Sequence, residues 1–192
     1  MVSTRESSKE NRLIFWAGPK HSGKTTAAGE LAVRARDEGF RVAGLLAPAA
    51  YECNRLVGFD AVDLRTGEQV SPASHRKETA EGGGFRFTEQ GRKLGKAALD
   101  VSTVRSADLV IVDEFGPMEL KGEGWREDVD LLLAQTDTVV LLVVREGLVQ
   151  EVERLYGEYG GRKIAAAGND SIERVIDMLR QRRFARRQND KT

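Results

Sequence analysis

Apolar residues along the chain follow two alternating spacings. Short, continuous apolar runs are typical of buried strands, whereas apolar residues that return every three or four positions are typical of helices. The first spacing predicts strands at Leu13–Ala17, Arg41–Ala47, Asp108–Val112, Val139–Val144 and Lys163–Ala167. The second predicts helices at Thr25–Glu38, Thr88–Arg105, Trp125–Ala134, Leu148–Tyr156 and Ser171–Arg182. This alternation favours an α/β three-layer sandwich, in which helices cover both faces of a mostly parallel sheet.

Two segments interrupt the alternation. Arg55–Leu64 has irregular alternation and is followed by the turn sequence Arg-Thr-Gly-Glu, which favours a β-hairpin-like insertion over another crossover. Ser71–Gly84 ends in three glycines, and we expect it to form a mobile loop. Thr88 then stands where the next helix should begin, with Glu89 and Gln90 in its first turn, so it is a candidate N-cap.

The length of 192 residues suits one domain with a single core. The predicted organisation is a polar tail at residues 1–11, one domain at 12–182 and a basic polar tail at 183–192. The chain has 30 basic and 30 acidic residues, so no net charge indicates binding to nucleic acid or to an anionic membrane. No apolar run approaches the roughly 20 residues that span a bilayer. We therefore expect a cytoplasmic protein, and nothing in the sequence indicates a protein partner.

A phosphate-binding pattern stands between the first strand and the first helix. Gly18-x-x-x-x-Gly23-Lys24-Thr25 matches the Walker A P-loop motif. In such a loop, backbone N–H groups and the positive helix end face phosphate oxygens, the lysine reaches the β and γ phosphates, and the hydroxyl binds Mg²⁺. The predicted nucleotide-binding residues are Gly18, Pro19, Lys20, His21, Ser22, Gly23, Lys24, Thr25 and Thr26. His21 would be strained if its φ had to be positive.

A pair of carboxylates follows the strand Asp108–Val112. Asp113 stands at the Walker B position, where a carboxylate holds Mg²⁺ together with Thr25, and Glu114 can take a proton from an attacking water. The alternative is two solvated acids at a strand end. Arg145 ends the strand Val139–Val144 and either stabilises the transferring phosphoryl or is a surface charge. The predicted catalytic residues are Lys24, Glu114 and Arg145.

The segment Val112–Leu120, VDEFGPMEL, resembles the signature of the NTPase THEP family of small P-loop nucleoside triphosphatases. Arg41–Glu68 and Gly82–Leu99 resemble the segments before that signature, and Arg145 matches an arginine at a strand end. Family members usually have glycine where His21 stands and threonine where Ala47 stands. The resemblance implies a P-loop NTPase fold and Mg²⁺-dependent hydrolysis of nucleoside triphosphates with loose base preference.

Three functions remain open from the sequence. The first is hydrolysis of ATP, GTP or another nucleoside triphosphate to the diphosphate and phosphate. The second is a nucleotide-binding switch, since the loop also resembles that of the GTP-binding accessory proteins of molybdenum-cofactor synthesis. The third is a small-molecule kinase. No [N/T]-K-x-D segment of guanine-specific GTPases follows Glu114.

Overall fold

The computed structural model describes residues 12–71, 87–166 and 168–189. The strands are β1 (Leu13–Gly18), β2 (Val42–Leu46), β3 (Ala49–Glu52), β4 (Arg55–Phe59), β5 (Ala61–Asp63), β6 (Gln69–Val70), β7 (Leu109–Phe115), β8 (Val139–Arg145) and β9 (Arg162–Ala165). Within these ranges, seven strands form the central sheet in the order β6-β5-β2-β7-β8-β1-β9. The pairs β2–β7, β7–β8, β8–β1 and β1–β9 are parallel, and the pairs β2–β5 and β5–β6 at one edge are antiparallel.

Helices cover both faces of this sheet. They are α1 (Lys24–Asp37), α2 (Glu89–Leu99), α3 (Val101–Val104), α4 (Pro117–Leu120), α5 (Arg126–Gln135), α6 (Val149–Tyr156) and α7 (Gly168–Asn189). In β1, Ile14 and Trp16 point into the core under α1 and α7, whereas Leu13 and Phe15 point into the core under α2, α5 and α6. A central parallel strand is buried on both faces, which explains why these strands read as continuous apolar runs. The predicted α/β sandwich is confirmed.

The strand order brings the predicted motifs to one edge of the sheet. β8 lies between β1, which leads into the predicted P-loop, and β7, which carries the predicted Walker B residues. In the register of the sheet Gly18 is opposite Arg145, and Phe115 is opposite Val144. Because the carboxyl ends of parallel strands lie at the same edge, the loop, the carboxylates and the arginine converge there.

The predicted helix Thr88–Arg105 is wrong as one element. Thr88 caps α2 as expected, its side chain accepting a hydrogen bond from Gly91 N at 3.0 Å. The helix then ends at Asp100, whose backbone is extended with φ −60° and ψ 131°. The Asp100 carboxylate accepts a hydrogen bond from Ser102 N at 2.9 Å and thereby begins α3. An aspartate with a serine two residues later competes with helix continuation by capping a new helix.

The insertion forms two hairpins, where the sequence predicted a single hairpin-like unit at Arg55–Leu64. β3 and β4 pair through a tight turn in which Cys53 and Asn54 both have positive φ, as hairpin turns of this kind require. β5 and β6 form the second hairpin at the sheet edge. The prediction of a hairpin-like insertion is confirmed, and its first strand begins earlier, at Ala49.

The last helix is longer than predicted. α7 continues to Asn189, so residues 183–189, expected in a polar tail, are helical. The basic side chains of this end are used locally: Arg183 lies over the Phe40 ring at 3.7 Å and donates to Gly39 O at 2.8 Å. The predicted tail at 1–11, and the predicted loop Ser71–Gly84 apart from Ser71, lie outside the described residues. No helix in the described ranges is long and apolar enough to cross a membrane.

Candidate nucleotide-binding site

The P-loop connects β1 to α1 through two residues in the left-handed region. His21 has φ 62° and Gly23 has φ 79°. Gly18 allows the chain to pass closely, because a Cβ atom there would lie 2.8 Å from Ser22 Oγ. Pro19, Lys20, His21, Ser22 and Thr26 are all exposed. The loop therefore presents its backbone and these side chains at the carboxyl edge of the sheet.

Lys24 lies at the start of α1 and is folded back onto the loop. Its Nζ donates to Pro19 O at 2.7 Å. Partial burial lowers the pKa of the Lys24 ammonium, and the nearby Glu114 and Asp113 carboxylates oppose that effect. On the buried side, Trp16 Nε1 donates to Lys24 O at 3.3 Å, which fastens the first turn of α1 to β1. The sequence analysis missed Trp16, because an apolar strand hid the donor role of its indole.

Asp113 is fully buried at the end of β7. Its carboxylate accepts hydrogen bonds from Ala47 N at 3.0 Å, from Glu114 N at 2.9 Å and from the hydroxyl of Thr25. Burial raises the pKa of Asp113 to about 6. Among the described residues, no lysine or arginine forms an ion pair with this carboxylate. The structure thus brings together the two predicted Mg²⁺ ligands, Thr25 and Asp113.

This pair fits Mg²⁺. A carboxylate and a hydroxyl are the hard oxygen donors that this ion prefers, usually with several waters and phosphate oxygens completing its shell. A buried carboxylate without a cation is costly, and a bound divalent ion would remove that cost. Thr25 and Asp113 already touch, so the donor atoms are close together before any ligand binds.

Glu114 occupies a break in the strand. Val112 is opposite Leu142 and Phe115 is opposite Val144, so β7 contains one extra residue across this interval. Glu114 has φ 56°, in the left-handed region. Such a bulge redirects a side chain, and here it leaves Asp113 buried while Glu114 is partly exposed. Nothing in the sequence signalled the bulge.

Arg145 faces the same crevice. Its Nη2 lies 3.7 Å from Glu114 Oε2, and both side chains are partly exposed. Of the two alternatives for Arg145, its position supports the one that faces the candidate site. A partly exposed pair at this distance contributes little stability, typically below about 1 kcal/mol. The contact therefore leaves both side chains free to move to a ligand.

Glu119 is a site-proximal residue that the sequence analysis missed. It is only 5% exposed, and its carboxylate accepts hydrogen bonds from Gly116 N at 2.8 Å and Trp125 N at 3.3 Å. The available signal was an acid three residues after Gly116, which is the spacing of a helix capping box.

Comparison with known proteins decides the family. The model of the family described as NTPase matches residues 13–165. The chain belongs to this family. The nucleoside-triphosphatase THEP1 of Methanothermobacter thermautotrophicus is 32% identical over 146 residues, covering 73% of this chain and 80% of that protein. The THEP1 of Methanopyrus kandleri is 35% identical over 135 residues, covering 69% and 73%. The family predicted from VDEFGPMEL is confirmed.

Two solved structures share the fold of this NTPase family member. A human cancer-related nucleoside triphosphatase has a TM-score of 0.61 at 21% identity and covers 88% of this chain and 95% of its own. THEP1 from Aquifex aeolicus has a TM-score of 0.60 at 22% identity and covers 87% and 98%. At these identities the likeness establishes the fold alone.

Proposed function

We propose that the chain hydrolyses nucleoside triphosphates to diphosphates and phosphate with the aid of Mg²⁺. The observation that carries the proposal is the position of Glu114. A bulge holds it beside the P-loop and opposite Arg145, at 3.7 Å. Membership of the NTPase family supports hydrolysis as the reaction class.

The P-loop supplies binding in this proposal. The backbone N–H groups at the start of α1 and the positive end of that helix attract the phosphates. Lys24 leaves Pro19 O and neutralises the β and γ phosphates. Thr25 and Asp113 would hold Mg²⁺, which neutralises phosphate charge when bound. The loop residues Gly18 to Thr26 thus bind the phosphates through backbone N–H groups and charge. This binding does not depend on which base the nucleotide carries.

Glu114 supplies the chemistry of bond formation. Its carboxylate takes a proton from a water as the water oxygen forms a bond to the γ phosphorus. The bond from that phosphorus to the bridging oxygen breaks, and the electron pair remains on the diphosphate. Arg145 moves from Glu114 to the transferring phosphoryl, where it and Lys24 stabilise the charge on the equatorial oxygens.

Base preference, location and partners are also proposals. A loose base preference is consistent with the missing [N/T]-K-x-D segment after Glu114. The cytoplasm remains the location predicted from the sequence. The substrate is the one partner that we propose, and binding of nucleic acid or membrane is not part of the proposed function.

The test compares phosphate release with nucleotide binding. Wild type, Glu114→Gln and the control Glu127→Gln, an exposed carboxylate on α5, are incubated with Mg²⁺ and each common nucleoside triphosphate. We expect wild type and control to release phosphate from several nucleotides. Glu114→Gln should bind with an unchanged Kd and turn over about 10²–10⁴-fold more slowly, the usual contribution of a general base. Unchanged turnover in Glu114→Gln excludes this role, turnover of GTP alone favours the accessory protein, and no turnover favours a switch or a kinase.

A further inference from the structure

Glu119 joins two segments beside the candidate site. It lies in the four-residue helix α4, and its Oε2 accepts a hydrogen bond from Gly116 N at 2.8 Å. Its Oε1 accepts one from Trp125 N at 3.3 Å, immediately before α5. One carboxylate therefore ties the turn that follows Glu114 to the beginning of the next long helix.

Local helix stability does not account for this carboxylate. Burial raises the pKa of Glu119, the two backbone N–H groups oppose that rise, and Glu114 adds to it. Among the described residues, no lysine or arginine forms an ion pair with Glu119. Burying an anion costs more than capping one short helix contributes. Because capping α4 does not offset the cost of burying the anion, we infer that the carboxylate holds the neighbouring turn in place.

The surroundings fix the carboxylate from its other side. Gly124 has φ 59°, and a Cβ atom there would lie 2.0 Å from Glu119 Oε1. Trp125 is buried, and its ring fills the space above Gly95, where a Cβ atom would lie 2.3 Å from Trp125 Cη2. Glu119 thus fills a space that any side chain at position 124 would close.

The bond to Gly116 acts on the backbone next to Glu114. A residue other than glycine is strained in the left-handed region and persists there only where the surrounding structure holds it. Gly116 is two residues beyond Glu114, so an N–H fixed there limits how the bulge can relax. A rotation of the bulge would move the Glu114 carboxylate, and a misplacement of about 1 Å can reduce turnover about 10²-fold.

We propose that Glu119 is a positioning residue for Glu114: by holding the N–H of Gly116 it keeps the bulge in the conformation that turns Glu114 into the crevice. This rests on the proposed function of Glu114 as the general base. Glu119 is buried and both of its carboxylate oxygens accept backbone N–H groups, so it should affect turnover and leave nucleotide binding intact.

The first test replaces the carboxylate by its amide. Glu119→Gln keeps one acceptor oxygen, but its NH₂ group must face one of the two backbone N–H donors, so one bond is lost. We expect kcat to fall about 10–10²-fold, with KM and the Kd of an unhydrolysed nucleotide within about twofold of wild type. The matched control is Glu123→Gln, an exposed carboxylate in the same segment, which should retain wild-type kcat.

The second test moves the carboxylate without removing it. Gly124→Ala displaces Oε1 and adds φ strain, so it should lower kcat in the same way although the charge remains. In a Glu114→Gln background, Glu119→Gln should cause no further loss, because there is no base left to position. A merely structural residue would lower residual turnover and binding in both backgrounds.

The outcomes separate this proposal from the proposed function. If wild type does not hydrolyse nucleotides, or Glu114→Gln hydrolyses them normally, the proposed function fails. Suppose that Glu114→Gln is impaired while Glu119→Gln keeps wild-type kcat and is confirmed as folded by its thermal unfolding. The positioning role of Glu119 is then overturned, and the proposed function stands. An equal weakening of Kd and kcat in Glu119→Gln overturns it too, since it would report a general loss of the site.

Discussion

At the residue scale, two residues with a left-handed backbone conformation lie on either side of the candidate site. His21 has φ 62° in the P-loop and Glu114 has φ 56° in the β7 bulge. Positive φ is uncommon for residues other than glycine, and strain of this kind concentrates at functional sites. The sequence allowed the strain at His21 to be foreseen, because the family usually has glycine there. The sequence contained no such sign at Glu114, because a bulge is defined by how a strand pairs with its neighbour, and that pairing cannot be read from one strand.

Replacing His21 by glycine should stabilise the protein. His21→Gly removes the left-handed strain, and we expect the free energy of unfolding to rise by about 0.5–1 kcal/mol after the added flexibility of the unfolded chain is subtracted. The measurement is urea unfolding of the nucleotide-free protein. Lys20→Gly is the control: Lys20 does not have positive φ, so only the flexibility term remains and stability should fall. Equal changes in the two variants would contradict the strain at His21.

At the element scale, the central strands were predictable and several connections were not. β1, β7 and β8 are buried on both faces, so each reads as an apolar run; the bounds of β1 and β8 are right within one residue, whereas β7 continues three residues past the predicted end at Val112. The break between α2 and α3 was missed because the apolar spacing continues across Asp100. The pairing of β3 with β4 was missed because nearly all of their residues are exposed or half-buried, which leaves no clear burial pattern to read.

Two glycines of α2 should respond to alanine in opposite ways. Alanine favours a helix interior over glycine by about 0.5–1 kcal/mol. At Gly95 a Cβ atom would lie 2.3 Å from Trp125 Cη2, and overpacking of this kind costs about 1–3 kcal/mol. At Gly91 the nearest atom would be Thr88 Oγ1 at 3.3 Å, a tight contact that a hydroxyl at the helix end can relieve.

Gly95→Ala should therefore lower the midpoint of thermal unfolding, and Gly91→Ala should leave it unchanged or raise it. Because Trp125 N donates to Glu119, the clash at Gly95 should also lower kcat. Differential scanning calorimetry and steady-state turnover of both variants provide the measurement. A gain in stability for Gly95→Ala would mean that Trp125 moves away at little cost.

At the scale of the whole molecule, strand order converts motifs distant in sequence into one site. More than 85 positions separate Lys24 from Asp113, and about 30 more lead to Arg145. Alternating strands and helices predicted that all three lie at the carboxyl edge. They did not predict that β8 lies between β1 and β7, because the order of parallel strands depends on packing between distant elements. That order decides that Arg145 faces Glu114.

The buried carboxylates of this edge should make stability depend on pH. In the unfolded chain Asp113 loses its proton near pH 4, whereas burial raises its folded pKa to about 6. Between these values the folded state holds more protons, so stability falls as pH rises. The pKa values of Glu119 and Asp128 are also raised by burial and act in the same direction.

In EDTA, the free energy of unfolding of wild type should fall from pH 5 to pH 7 by about 1 kcal/mol more than that of Asp113→Asn. Urea unfolding at the two pH values measures the difference. Adding Mg²⁺ with a nucleoside diphosphate should reverse the wild-type loss, since a bound cation favours the ionised carboxylate, and should do so less in Asp113→Asn. Equal pH dependence in the two proteins would show that Asp113 is already ionised when folded without a cation.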